Sequence, residues 1–137
     1  MAGQAFANSP VAAVHALAYP LGGRFHIPHG LSNALVLPAV MRFNSCVVAE
    51  HYAALAAAAI PGFTGGDTAA ASAELFICAL EQLMRDLKMP MRLREMNINE
   101  GDLPVLAKDA LLQQRLLVNN PRAVSYEDAL AIYRAAY

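Results

Sequence analysis

Three of the chain's four histidines lie between positions 15 and 29. They are interleaved with Tyr19, the run Pro20-Leu21-Gly22-Gly23 and the tripeptide Pro28-His29-Gly30. Neutral imidazole carries a lone pair at physiological pH, which makes histidine a common metal ligand. His15 is expected in the last turns of one helix and His29 at the start of the next, with a tight glycine-rich loop reversing the chain between them. Such a reversal can bring two imidazoles to one point, as a metal site requires. The spacing of His15 and His29 fits no common short metal motif, and a single histidine in an Ala/Leu helix is more often a packing or surface residue. On the residues alone both readings stand.

The other groups able to do chemistry have plainer readings. Cys46 and Cys78 sit among apolar residues and are expected to be buried, reduced thiols, with no sign of secretion to favour a disulfide. Asp67 and Glu74 are possible carboxylate ligands, but capping and solvent exposure account for them. His51 is expected on an exposed helix face. The six methionines are expected to fill the core, and Arg92, Arg94 and Glu95 to form a solvated connection.

The elements that must position these groups read as helices. Alternating polar and β-branched runs are missing, and the dominant alanine and leucine are strong helix formers. A first helix is expected over residues 3–19, stopped by Pro20-Leu21-Gly22-Gly23, with a loop over 21–30. Helices follow at 31–44, kinked at Pro38, and at 47–59, stopped by Pro61-Gly62. The next covers 68–87, with Asp67 or Thr68 as N-cap. Its apolar positions Leu75, Phe76, Ala79, Leu80, Leu83 and Leu87 keep helical spacing. Residues 89–99 read as an irregular connection, 99–101 as the start of a helix running to about 114, and 119–122 as a turn. Ser125 with Asp128 resembles a capping box opening a last helix over 126–135. The whole reads as one all-α domain, residues 1–137.

Composition bounds the function. The chain has 137 residues, is 57% hydrophobic and is only 15% charged, against roughly a quarter charged in ordinary domains. It therefore buries an unusual share of its surface or presents apolar surface to a partner. A net charge of −1 gives no reason to expect nucleic acid. The first ten residues lack the basic start of a signal peptide. The longest apolar candidate for a membrane span, residues 31–41, is interrupted by Pro38 and closed by Arg42. A soluble cytoplasmic protein without membrane contact is the expectation.

The wider string resembles the signature of the iron-containing (group III) alcohol dehydrogenase family, which includes maleylacetate reductases. It reads His15, then Leu21-Gly22, Pro28-His29-Gly30, Asn33-Ala34, Leu37-Pro38 and Arg42-Phe43-Asn44. The likeness continues upstream from Ala2 to Asn8 and downstream in Asn120-Pro121-Arg122, so it spans essentially the whole chain. It implies a helical, bundle-like C-terminal domain of the dehydroquinate synthase-like fold, with the N-terminal α/β nicotinamide-binding domain missing. It also implies that His15 and His29 are two of four ligands, one Asp and three His, to Fe2+ or Zn2+. The Asp and the first His would lie upstream. Met1-Ala2-Gly3 matches the interior of a family helix, so the first helix is expected to be truncated at Met1.

Two positions depart from the family pattern. Tyr19 stands where many members have a histidine close to the nicotinamide, and a phenol with a pKa near 10 is a poorer proton relay than imidazole. His26 is an addition to the loop. It either compensates for Tyr19, contacts substrate, or is a solvated loop residue.

For the complete enzyme the resemblance implies hydride transfer between an alcohol and NAD or NADP, with an aldehyde or ketone on the other side of the reaction. The chain itself lacks the glycine-rich strand-turn-helix of a dinucleotide site, because Gly22-Gly23 and Gly65-Gly66 follow helical segments. It is expected to be inactive alone, to need an N-terminal nucleotide-binding domain, and to form a homo-oligomer through bared helix faces. The alternative is a non-catalytic helical oligomerisation or interaction module derived from that family. A metal sensor using His15, His26 and His29 would require the loop to fold all three rings inward.

Overall fold

Pro10 divides the segment expected as one first helix. A residue before proline is pushed out of the α region, so α1 (Ala2–Asn8) ends just upstream and α2 (Ala13–Phe25) begins anew. This is a computed structural model covering residues 1–137, with side-chain surroundings described for all of them except residues 2 and 5. Every regular element among the described residues is helical.

α2 corrects a second expectation, because it runs through Pro20-Leu21-Gly22-Gly23 instead of stopping there. Pro20 removes one backbone donor and crowds the preceding turn, at a cost of about 3 kcal/mol. Leu17 and Leu21, both fully buried, each contribute roughly 1.5–3 kcal/mol by leaving water. Burial on both sides of the proline therefore outweighs the local break. The helix ends at His26, whose backbone takes the left-handed conformation (φ 54°) and whose N–H donates to the Gly22 carbonyl at 3.0 Å. The connection to α3 is only His26-Ile27-Pro28, shorter than the expected ten-residue loop.

α3 (His29–Ala59) spans 31 residues as two helical halves joined at a kink, in line with the two helices expected here. Its backbone departs from helical geometry at Val48 (φ −131°, ψ 23°), not at Pro38. Four side-chain hydrogen bonds act just before that break. Ser45 Oγ donates to the Met41 carbonyl at 2.8 Å, and Arg122 Nη1 donates to the Phe43 carbonyl at 3.2 Å. Asn44 and Asn120 exchange amide hydrogen bonds at 3.0 and 2.9 Å. The adjacent β-branched Val47 and Val48 add χ1 restriction. By length and composition alone α3 would pass as a membrane span, which corrects the reading of 31–41 as the longest candidate. In this fold it is the hub instead, packed against α2, α4 (Ala69–Asp86) and α7 (Tyr126–Ala136).

The main core joins α2 and the first half of α3 to α5 (Leu103–Leu111), α6 (Gln114–Leu117) and α7. The helix expected from 99–101 to 114 is a short 3₁₀ turn, Glu100–Asp102, followed by α5; α6 is separate. A smaller cluster of Met41, Ala56, Phe76 and Ile77 sits between α3 and α4. The expected caps are present. Thr68 Oγ1 accepts from the Ala71 N–H at 3.1 Å, and Ser125 and Asp128 make a reciprocal capping box. The 68–87 apolar stripe divides, however. Phe76 points inward, while Leu75, Leu83 and Leu87 are 46%, 53% and 63% exposed.

Both cysteines are free and exposed, not buried. Glu74 is also more than a solvated carboxylate, because it shares the Arg42 guanidinium with Glu81. Arg92, expected to be merely solvated, donates to the Ala135 carbonyl at 2.8 Å.

Candidate metal centre

His15 lies on α2 and His29 is the first residue of α3. The Ile27-Pro28 turn folds the two helices back to back, so the rings meet with centroids 5.2 Å apart and planes tilted by 55°. Pro28 supplies the extended backbone that starts α3 (φ −53°, ψ 140°). Ser32, which is buried, locks the turn by donating its hydroxyl to the Ile27 carbonyl at 3.2 Å. Tyr19, one turn after His15, places its ring 6.5 Å from His15 and 6.1 Å from His29. His26, at the C-terminus of α2, is exposed and takes no part in this cluster among the described residues.

Asn33, one turn after His29, completes the group. Its Nδ2 lies 3.5 Å from His15 Nε2 and 3.2 Å from His29 Nε2, so both imidazole nitrogens face one atom. Its Oδ1 is buried without a hydrogen-bond partner. Sequence reading includes Asn33 in the motif but assigns it no role. The available signal was its i+4 relation to His29, which puts both side chains on one helix face. Partial burial, and then the nearby His29, hold His15 below the ordinary imidazole pKa. This favours the neutral ring, the form that binds metals.

Two imidazole nitrogens aimed at one point are apt donors for zinc or ferrous iron, and the unpartnered amide oxygen marks the spot as polar and incompletely satisfied. Among the described residues no three or more His, Cys, Asp or Glu side chains are grouped to hold an ion. The residues fit such an ion as part of a ligand set.

This all-helical arrangement is that of the C-terminal domain of solved alcohol dehydrogenases. An alcohol dehydrogenase from Oenococcus oeni superimposes with a TM-score of 0.87 at 33% identity, over 99% of this chain and 35% of that one. The family described as Fe-containing alcohol dehydrogenase, C-terminal, matches residues 1–137, and the chain belongs to it. Two similar proteins are the long-chain-alcohol dehydrogenase 1 of Geobacillus thermodenitrificans, 42% identical, and the 1,3-propanediol dehydrogenase of Klebsiella pneumoniae, 37% identical. Both matches take in 100% of this chain, which spans only 34% and 35% of those proteins.

Proposed function

We propose that His15 and His29 are two ligands of the catalytic divalent cation, ferrous iron or zinc, in an NAD- or NADP-dependent alcohol dehydrogenase. The carrying observation is that both Nε2 atoms face the single Asn33 amide nitrogen, at 3.5 and 3.2 Å. When bound, such a cation supplies Lewis-acid polarisation of the substrate oxygen. This chain's residues do the positioning: the α2–α3 turn sets the spacing of the two rings, and Tyr19 stands against both with a hydroxyl able to hold a proton at the relay position. His26 ends α2 and is read as a cap, not a ligand.

The remaining ligands, the nicotinamide and the alcohol or aldehyde substrate come with an N-terminal nucleotide-binding domain, as the greater length of the relatives supports. The chain alone is read as inactive in hydride transfer. The exposed Leu75 and Leu83 of α4 and Leu87 at its C-cap support assembly into a homo-oligomer, and the two free cysteines suit the reducing cytoplasm.

Elemental analysis after anaerobic loading with ferrous iron or zinc tests the metal reading. Binding that is lost in His15→Ala and in His29→Ala supports it. Metal bound above background that stays equal in the wild type and both variants overturns it.

A further inference from the structure

The Asn33 carboxamide has one NH2 group with two donors and one acceptor oxygen. The NH2 faces His15 Nε2 and His29 Nε2, and the oxygen is buried and unpartnered. The amide orientation is assigned here with the NH2 group toward the rings. With the NH2 toward the rings, each imidazole accepts one N–H on its Nε2. A nitrogen that accepts cannot carry a proton, so each neutral ring must hold its proton on Nδ1.

We propose that Asn33 is a positioning residue. It sets His15 and His29 in the Nδ1–H tautomer and holds both Nε2 lone pairs on one point before any ion arrives. In most histidine metal sites the tautomer is fixed from the far side, by a group that accepts the other ring N–H. Here the donor acts on the ligating nitrogens themselves. Asn33 and a cation therefore compete for the same two lone pairs, and the amide has to release them for an ion to bond at about 2.0–2.1 Å. The catalytic meaning of this device rests on the metal reading above; the tautomer assignment rests only on the hydrogen bonds.

The test is nitrogen NMR of the 137-residue chain carrying 15N-labelled histidine, in metal-free buffer at roughly pH 8.5, about two units above the ordinary imidazole pKa. The exposed His26 and His51 serve as internal references for the free tautomer mixture. The expected result is an unprotonated Nε2 and a protonated Nδ1 on both His15 and His29. In Asn33→Ala both rings should relax to the mixture shown by His26 and His51. In Asn33→Asp, which is nearly isosteric and carries the test should the alanine variant fail to fold, the carboxylate accepts and the proton moves to Nε2. A protonated Nε2 in the wild type, or tautomers unmoved by either substitution, overturns the proposal. Zinc titration of the wild type keeps the two readings apart. Nε2 signals that ignore zinc count against the metal reading and leave the Asn33 assignment standing. Nε2 signals that shift with zinc, while the substitutions leave the tautomers unchanged, do the reverse.

Discussion

The Tyr133 hydroxyl donates a hydrogen bond to the Leu17 carbonyl at 2.6 Å, tying the closing helix α7 to the turn of α2 that follows His15. The side chain is fully buried. Burial, and then the charge of Asp109, raise the phenol pKa far above its ordinary value, so the hydroxyl stays protonated as a donor. Tyr133→Phe keeps the ring packing and removes only that donor. We expect a loss of about 1 kcal/mol, read as a fall in Tm of roughly 4 °C with an unchanged helical circular dichroism spectrum. An unshifted Tm would mean that the bond contributes nothing net.

The left-handed backbone at His26 gives an independent test of its role. A non-glycine residue there is strained by roughly 1–2 kcal/mol, part of which glycine returns through its greater unfolded-state entropy. His26→Gly should therefore stabilise the chain by roughly 0.5–1 kcal/mol on balance and leave metal loading unchanged. Thermal melts and elemental analysis of the same preparation check both. Loss of metal would show that His26 is a ligand after all.

Acid sensitivity should trace in part to the ion pairs that join α3 to α4. Arg42, by direct hydrogen bonding with Nη1 to Oε1 at 2.6 Å, holds Glu81 below the usual carboxylate range. A carboxyl whose folded pKa is depressed binds protons more readily in the unfolded chain. Its contribution to stability is complete above the unfolded pKa, near 4.5, and is lost as pH falls through the lower folded value. Because Arg42 is 40% exposed and Glu81 22% exposed, solvent screens the pair and the effect is modest. In urea titrations from neutral pH downward, Glu81→Gln should flatten the decline that the wild type shows below about pH 4.5. Parallel curves would rule out a net role for the pair.

The outward leucines of α4 make a further prediction. An exposed apolar patch marks an interaction surface, and Leu83 and Leu87 are more than half exposed. Sedimentation velocity at rising concentration should show self-association of the wild type that is reduced by Leu83→Lys combined with Leu87→Lys. A clean wild-type monomer at high concentration would remove the case for association through α4.

Much of this protein is decided within short stretches of its sequence. The all-helical class follows from composition and period. The Thr68 cap and the Ser125–Asp128 box are legible because each closes within three residues. The string from His15 to Asn44 carries the family resemblance, and the chain belongs to that family. Tertiary structure decided the rest. Pro20-Leu21-Gly22-Gly23 carries local stop signals, but Leu17 and Leu21 gain more from burial than the proline costs. The division of 31–59 into two helices is legible and holds, but the break falls at Val48, just after Phe43 and Asn44, where Arg122 and Asn120 from the far end of the chain hydrogen-bond. Exposure of the cysteines depends on which helix face the core leaves outside, which apolar neighbours in sequence do not reveal. Arg42 meets Glu74 and Glu81 across 32 and 39 residues, a distance no local pattern spans. Asn33 shows the division within one residue. Its reach to His29 is fixed by four residues of helix, whereas its approach to His15 exists only because Ile27 and Pro28 fold α3 back against α2.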